Sequence, residues 1–245
     1  MATSKEVKEI KKLASKGKSV NTIKECLDLP KSTVYYHFKK EVGQKQKENA
    51  IEIPKDEEVK GELCGIFAGD GNFHKDNNGH YRIQFFLNCN DEYWKKLEEF
   101  LSDKLHKKPM VFHNKEKSRT VIRYNSKELY KMIKQHLEWE GDKTVLIGLK
   151  KDQKLGRFKI GFLRGLIDTD GYKEKKFRRY IYGTISRNLR NNFSKILNEL
   201  DISHTNYKEE ARKDAWKDMY KVRMSGDSVE VFNEKVKPRH PKKKF

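Results

Sequence analysis

Two segments of the chain repeat one another at a constant separation of 100 residues. Residues 61–71 read GELCGIFAGDG, and residues 161–171 read GFLRGLIDTDG. Glycine and leucine recur at matched positions, and the last acidic residues of the two copies are Asp70 and Asp170. Chance rarely aligns so many glycines, so the repeat predicts a duplicated domain in which each copy begins one structural unit.

The order of secondary structure after each copy supports the duplication. A strand pattern at 81–88 precedes a helical pattern at 91–105, and the same succession recurs at 180–186 and 188–200. A second hairpin and a final helix follow in both halves. We therefore predict an α+β domain with pseudo-two-fold symmetry, in which each half has the order αββαββα.

The glycines of the two motifs predict how the halves meet. Glycine within a helix costs about 0.5 to 1 kcal/mol relative to alanine, so a series of glycines requires a compensating use. Residues four apart share one helix face, and a stripe of small residues lets two helix backbones approach closely. We predict that the motif helices pack on each other through Gly61, Gly65, Gly69, Gly161 and Gly165. Gly71 and Gly171 are predicted to end these helices in the left-handed conformation.

Asp70 and Asp170 are predicted to carry the chemistry. The packing brings both carboxylates to the C-terminal helix ends, where the helix dipoles also oppose negative charge. Such a pair needs a cation, and hard divalent ions suit oxygen ligands, so we predict Mg²⁺, with Mn²⁺ as a substitute. Metals in such a site activate water and stabilise the leaving oxygen in phosphodiester hydrolysis. An Asp-Gly turn without chemistry explains either copy alone, but not both at one separation.

The segment 161–171 resembles the defining motif of the LAGLIDADG homing endonucleases, and 61–71 resembles a degenerate first copy. The resemblance covers residues 58 to about 235. It implies a single-chain monomer whose sheets lie on double-stranded DNA and which makes a double-strand break with short 3′ overhangs, as in intron homing. Asp70 and Asp170 match the metal-binding position of the family. The first acidic position of the motif is Asp168 in the second copy but Ala68 in the first.

The charge of the chain predicts a polyanionic partner. The sequence has 55 Lys and Arg against 36 Asp and Glu, for a formal net charge of +19. No apolar run approaches the ~18 residues of a membrane-spanning helix, and the N-terminus has no apolar signal core. We therefore expect double-stranded DNA as the partner, no membrane, and an intracellular location, cytoplasmic or nucleoid-associated, rather than secretion.

Alternation along the strands predicts which side chains face the DNA. In 81–88, Tyr81, Ile83, Phe85 and Leu87 are expected to point into the core. The outward candidates for phosphate and base contacts in all hairpins are Arg82, Gln84, Asn88, Arg119, Arg123, Arg178, Tyr180, Tyr182, Lys221 and Arg223. An ordinary solvated strand face explains any one of them, but the net charge favours DNA for the group.

Residues 1–42 carry three short helical patterns, with a tight corner at Asp28, Leu29 and Pro30. They resemble a helix-turn-helix domain. The resemblance implies that the third helix enters the major groove, with DNA contacts from Lys31, Ser32, Thr33, Tyr35, Tyr36 and Lys39. A helical protein-interaction domain is the alternative, which the basic surface makes less favoured.

The remaining boundaries follow from composition. Residues 43–57 are polar and contain Pro54, which predicts a linker. The first repeat is placed at 58–150 and the second at 151–235. Residues 236–245 form a basic tail, to which the sequence assigns no function.

Three functions fit this organisation. A metal-dependent DNA endonuclease is favoured because both acidic positions are present in matching motifs. A non-catalytic DNA-binding transcription regulator is the second, because bacterial sporulation regulators that resemble this family also join such a domain to a helix-turn-helix, in reversed order. An RNA-binding maturase that assists intron splicing is the third, since basic sheets also suit structured RNA.

Overall fold

The computed structural model describes residues 2–42, 51–75, 80–151, 155–211 and 217–243. The chain divides into two compact units, Met1–Ala50 and Ile51–Phe245. Among the described helices, none is both long and apolar enough to cross a lipid bilayer.

The first unit contains three helices, α1 (Ser4–Ser15), α2 (Val20–Leu27) and α3 (Lys31–Val42). Asp28 ends α2 in the left-handed conformation, with φ 48° and ψ 43°, which aspartate tolerates. The helices meet in a small apolar core formed by Ile10, Ala14, Ile23, Val34 and Phe38. Val34 and Phe38 belong to α3, so this helix is fixed by one face and leaves the other open.

The first repeat of the second unit has the predicted order αββαββα. Its elements are α4 (Glu57–Asp70), β1 (Gly71–Lys75), β2 (Tyr81–Asn88), α5 (Tyr93–Lys104), β3 (Met110–Asn114), β4 (Arg119–Asn125) and α6 (Lys127–His136). The strands form one antiparallel sheet in the order β1-β2-β4-β3. A connection of three short elements follows, β5 (Leu137–Glu138), α7 (Lys143–Leu146) and β6 (Gly148–Leu149).

The second repeat has the same order and the same sheet topology. Its elements are α8 (Phe158–Asp170), β7 (Gly171–Glu174), β8 (Arg179–Thr184), α9 (Arg187–Glu199), β9 (Thr205–Glu209), β10 (Met219–Ser225) and α10 (Asp227–Val236). Its strands pair in the order β7-β8-β10-β9. Both sheets bury one face in a single hydrophobic core that also includes the apolar faces of the helices. The duplicated α+β architecture is therefore confirmed.

The segment before α4 packs on the second unit. Ile51 is buried in the core, Ile53 packs against it, and the Glu52 N–H donates to the Leu105 carbonyl at 3.2 Å. The predicted linker at 43–57 thus includes residues that fold with the domain, because the two isoleucines gain by burial. Residues 43–50 of that linker lie outside the described residues.

The motif helices α4 and α8 cross at backbone contact. A Cβ atom built at Gly161 would lie 1.8 Å from the Glu58 carbonyl oxygen, and one at Gly65 would lie 3.0 Å from the Gly165 Cα. No side chain fits at these distances, so the structure uses the missing Cβ atoms to bring the helices together. The same close approach, under 3 Å to atoms of the partner helix, applies to Gly61, Gly69 and Gly165.

Gly71 and Gly171 do not take the predicted conformation. Their φ and ψ angles are −83° and 150°, and −82° and 155°, so the left-handed prediction is wrong. A Cβ at either position would lie 2.5 Å from a carbonyl oxygen of the preceding turn, that of Phe67 or Ile167. Glycine is needed because the chain passes directly from helix to strand against its own last turn.

A buried ion pair makes the helix contact asymmetric. Arg164 of α8 donates from Nη1 to Glu62 Oε2 at 2.8 Å and from Nη2 to Glu58 Oε1 at 2.6 Å. Glu62 is fully buried. The positions that match Glu62 and Arg164 in the other copy are Phe162 and Cys64. Because a buried charge without its partner is costly, this contact specifies pairing of the first motif with the second.

We expect Gly165→Ala to destabilise the second unit by about 1–3 kcal/mol, because its Cβ would lie 2.5 Å from the Glu62 carbonyl oxygen. Urea unfolding followed by tryptophan fluorescence measures this, since Trp94 and Trp139 lie in the second unit.

The matched control is Gly183→Ala. A Cβ there would meet the Met219 Sδ at 3.5 Å, which is ordinary van der Waals contact. Equal stability of the two variants would show that the motif helices tolerate a wider separation.

Candidate active site

The close packing of α4 and α8 places their last turns side by side. Asp70 ends α4 and Asp170 ends α8. A Cβ built at Gly69 would lie 2.1 Å from Thr169 Oγ1 and 2.9 Å from the Asp170 Oδ2. The Asp170 carboxylate thus lies against the final turn of the partner helix. The structure brings together the two carboxylates that the repeat singled out.

The two carboxylates disfavour each other's ionised form. Burial and the neighbouring Asp170 raise the pKa of Asp70 to about 7. Burial raises the pKa of Asp170 to about 6. Each carboxylate also lies at the negative end of a helix dipole. A site with this balance gains from a bound cation.

Two lysines that the sequence did not single out complete the site. Lys143 Nζ donates to the carbonyls of Phe67 at 2.8 Å and Ala68 at 3.0 Å, in the last turn of α4. Lys243 Nζ donates in the same way to the last turn of α8. Its acceptors are the carbonyls of Ile167, Asp168 and Thr169, at 2.7–3.0 Å. Burial lowers the pKa of each ammonium to about 8, against the attraction of the two carboxylates.

The lysines obey the same separation of 100 residues as the motifs. That match is the trace of them in the sequence, and it is weak because no apolar pattern accompanies it. Lys243 lies in the tail at 236–245, to which no function was assigned. The structure shows that this segment reaches the carboxylate site, so its basic character serves more than solubility.

Asp168 anchors the segment that carries Lys243. Its carboxylate accepts hydrogen bonds from the backbone N–H of Arg239, at 3.1 and 3.0 Å to its two oxygens, and from that of His240 at 3.0 Å. The matching position in the first copy is Ala68. The departure between the copies is therefore structural, because Asp168 binds backbone amides rather than facing Asp70 and Asp170.

The donor set fits a hard divalent cation. No group of three or more His, Cys, Asp or Glu side chains that could hold a metal occurs among the described residues. Two carboxylates without a histidine or thiolate exclude a closed zinc site of the usual kind. Mg²⁺ is commonly bound by one or two carboxylates and otherwise by water and phosphate oxygens. Asp70 and Asp170 supply such a set.

The first sheet presents the predicted polar residues on its open face. Ile83, Phe85 and Leu87 of β2 are buried, and Arg82, Gln84 and Asn88 alternate with them. Arg119 and Arg123 of β4 pair with Asn88 and Gln84 in register, so they share that face. His74 of β1 lies opposite Arg82. That these residues contact DNA stays a prediction.

The second sheet corrects three predicted contacts. Tyr180 and Tyr182 are fully buried, opposite Met224 and Val222 of β10, so neither faces outward. Arg178 lies before β8 with a φ of 46°, and its guanidinium contacts Glu230 of α10. The predicted alternation of inward and outward residues in this strand is wrong by one residue. A shift of one residue moves every side chain to the opposite face of the sheet.

The open face of the second sheet carries other residues of the same strands. Arg179, Ile181 and Gly183 take the positions predicted for residues 178, 180 and 182. Lys221 and Arg223 lie on this face as predicted, opposite Gly183 and Ile181. Tyr172 of β7 joins them, with 44% of its surface exposed.

The third helix of the first unit exposes the residues predicted to bind DNA. Tyr35 and Tyr36 are 55% and 56% exposed, and Lys31, Ser32 and Lys39 are also exposed. Thr33 is half-buried. Lys40 Nζ lies 4.5 Å from the centre of the Tyr36 ring, which adds a further cation to this face.

The second unit thus consists of two four-stranded sheets joined by a pair of glycine-striped helices, with a carboxylate at the end of each helix. Residues 157–237 match the family described as the LAGLIDADG-like domain. The second repeat is therefore a LAGLIDADG-like domain, and the first repeat has the same fold.

Solved structures share the fold of the second unit. A variant of the homing endonuclease I-DmoI, in complex with its target DNA and Mg, has a TM-score of 0.53 and 20% identity over 75% of this chain and 98% of that chain. Other I-DmoI complexes with DNA contain Ca or Mn. The N-terminal LAGLIDADG domain of DUF199/WhiA has a TM-score of 0.52 and 15% identity, over 76% of this chain and 86% of that chain. These likenesses establish the fold.

One curated relative matches in sequence. The ATP-dependent DNA helicase Hel308 of Thermococcus kodakarensis is 27% identical over 177 residues. The match covers 68% of this chain but only 15% of the length of that helicase.

We expect Asp170→Asn to raise the Tm of the metal-free protein at pH 8. Burial raises the pKa of Asp170 despite two nearby lysines, so the cost of desolvating the ionised form outweighs their attraction. A raised carboxyl pKa costs stability increasingly as pH rises from the usual value of 3.8 through the folded-state value of about 6, and fully above it. The expected gain in EDTA is on the order of 2–4 °C at pH 8, and under about 1 °C near pH 4.

Tryptophan fluorescence during thermal unfolding measures both values. The exposed Asp103 of α5 provides the control, since Asp103→Asn removes a charge outside the site. A lower Tm for Asp170→Asn than for the wild type at pH 8 would contradict the inference that the ionised Asp170 carboxylate destabilises the metal-free protein.

Proposed function

We propose that this protein is a metal-dependent endonuclease that cleaves double-stranded DNA at a specific site. The observation that carries the proposal is the pairing of Asp70 and Asp170 at adjoining helix ends. At each end, a lysine from another segment binds the carbonyls of the last helical turn. A purely DNA-binding protein has no use for two half-buried carboxylates that repel both each other and the DNA. One chain supplies both carboxylates, so we propose a monomer, acting on intracellular DNA.

Each part of the site has a role in this reaction. The Asp70 and Asp170 carboxylates would hold Mg²⁺ or Mn²⁺, which activates water and stabilises the leaving oxygen when bound. Lys143 and Lys243 fix the two helix ends by binding their carbonyls, and their positive charge favours a phosphate above the carboxylates. The two sheets bind the DNA on either side, so that the scissile phosphodiester lies over the helix ends.

The comparisons support DNA and a divalent metal. The solved structures of I-DmoI contain its target DNA together with Mg, Ca or Mn. The paired carboxylates of this chain occupy the ends of the helices that define the shared fold. A DNA-binding regulator without cleavage is the second candidate, because the fold is also that of the LAGLIDADG domain of DUF199/WhiA.

We expect the wild-type protein to cleave a plasmid library that carries randomised inserts, in Mg²⁺ or Mn²⁺ but not in EDTA. Asp70→Asn and Asp170→Asn are expected to lower the cleavage rate at least about 100-fold, because each removes a ligand for the metal at the reacting phosphate. Linear product on an agarose gel measures the rate, and sequencing of the cut molecules identifies the site.

Asp103→Asn is the matched control, and it is expected to cut like the wild type. Tight DNA binding without cleavage in either metal would favour the regulator. Stronger binding to structured RNA than to duplex DNA would favour the maturase.

We further propose that α3 of the first unit binds the major groove. Its exposed face combines two aromatic rings with lysines, while Val34 and Phe38 hold the opposite face in the core. A helical domain that binds only another protein would not need this basic face.

We expect the double substitution Lys31→Ala and Lys39→Ala to weaken DNA binding and to lower the salt dependence. Each lysine that contacts a phosphate contributes about 1 to the slope of log Kd against log salt, so the slope should fall by about 2. Fluorescence anisotropy at several salt concentrations measures it. The control replaces the exposed Lys5 and Lys8 of α1 by alanine. Equal slopes for the two double variants would contradict DNA contact by α3.

A further inference from the structure

The open face of the first sheet carries a row of apolar side chains between two arginines. Val121 at the centre of β4 pairs in register with Phe86 of β2 and Phe112 of β3. Arg119 and Arg123 lie two residues before and after Val121 on the same face. Two residues along a strand span about 6.7 Å, which is close to the rise of two base pairs of DNA.

This row is exposed at its outer end and approaches the carboxylate site at its inner end. Phe112 is 46% exposed, and the neighbouring Met110 is 39% exposed. Phe86 lines a cavity of about 560 Å³ whose walls include Asp70 and Lys143. Exposed apolar groups next to a charged site indicate a partner with apolar groups of its own.

The flanking arginines are oriented but not neutralised. The Arg123 guanidinium lies 4.5 Å from the centre of the Phe112 ring, and that of Arg119 lies 5.1 Å from the Phe86 ring. Neither forms an ion pair within the part of the chain that the structure describes. Arg123 Nη2 donates to the Met110 Sδ at 3.7 Å, and its Nε is buried without a hydrogen-bond partner. Thioether sulfur is a weak acceptor, so the guanidinium gains from a ligand that brings oxygen or nitrogen acceptors.

The second sheet differs in this respect. Lys221 Nζ pairs with Glu209 Oε1 at 2.6 Å, and Arg223 Nε donates to Thr205 Oγ1 at 3.3 Å. Lys221 is thus neutralised by a carboxylate, whereas neither Arg119 nor Arg123 has a carboxylate partner among the described residues. Base discrimination therefore falls mainly to the first repeat.

We propose that Phe86, Val121 and Phe112 read thymine methyl groups in the major groove, and that Arg119 and Arg123 read guanines about two base pairs to either side. The thymine 5-methyl is the apolar group that base pairs present in that groove, and phenylalanine is among its partners. Arginine binds the O6 and N7 of guanine bidentately. This inference rests on the proposed function, since it assigns the bases that the same DNA face selects.

A duplex fits this face better than a protein partner does. The two unpaired guanidinium groups beside the row demand acceptors, which guanine edges and phosphates supply together with thymine methyls. A protein partner would need an apolar ridge that fits this row, with hydrogen-bond acceptors placed opposite both Arg119 and Arg123.

The test selects duplexes from a randomised library with the full-length protein in EDTA, so that bound molecules stay uncut. Wild type, Phe112→Ser and Phe112→Leu are compared. Phe177→Ser is the control, because Phe177 is 49% exposed and has Arg179 4.6 Å from its ring, but lies in the turn before β8. Circular dichroism verifies that each variant is folded.

We expect the wild type, Phe112→Leu and Phe177→Ser to select thymine within about two base pairs of guanine. Phe112→Ser should lose the thymine preference at the position that Phe112 contacts, keep it where Phe86 and Val121 remain, and keep the guanines. Replacing the selected thymines by deoxyuridine, which lacks only the methyl, should weaken wild-type binding about fourfold per methyl contacted. At the thymine that Phe112 contacts, the same replacement should leave the binding of Phe112→Ser unchanged.

Equal wild-type affinity for the thymine and deoxyuridine duplexes would overturn the inference while leaving the proposed function intact. Self-association of the wild type that Phe112→Ser abolishes, with no thymine preference, would overturn it in favour of a contact between copies. Failure to select any duplex, together with absence of plasmid cleavage, would instead reject the proposed function and this inference with it.

Discussion

Direct contact between the backbones of α4 and α8 determines the rest of the second unit. The contact is possible because the missing Cβ atoms of the motif glycines leave room for backbone atoms of the partner helix. Each helix carries its own sheet behind it, so the crossing fixes how the two open faces are placed. It also fixes the separation of Asp70 and Asp170. The interaction that stabilises the fold therefore creates the repulsion at its end, and structure and chemistry cannot be varied independently.

The two halves reach similar local arrangements by different means. Lys143 belongs to α7, which is capped by Asp142 through a hydrogen bond from the Thr144 N–H at 3.0 Å. Lys243 instead follows a segment whose backbone is held by Asp168. The pseudo-two-fold symmetry is kept at the ammonium groups of Lys143 and Lys243. On the proposed function, each ammonium would lie near one of the two DNA strands. It is relaxed in the supporting segments, where any sufficient anchor serves.

The sequence predicted β2 to its residue limits because its alternation is regular and one face is fully buried. It misplaced β8 by one position, because Arg178 has a positive φ outside the strand and tyrosine suits either face of a sheet. The duplication and the carboxylates were accessible because several residue types recur together. The lysines were not, because one matched residue in a lysine-rich chain carries little information, and the hydrogen bonds of Asp168 depend on the path of a distant segment.

The excess positive charge of the chain is unevenly available to a partner. Exposed ion pairs contribute little to stability, but they neutralise the cations that they contain, as Glu209 does for Lys221. On the first sheet, aromatic rings take that place and hold the arginines without cancelling their charge. A polyanion is attracted by both faces through the net charge of +19, but hydrogen-bond donors remain uncommitted mainly on one. Attraction of a polyanion and discrimination between bases thus depend on different residues. The first repeat holds more of the residues suited to discrimination.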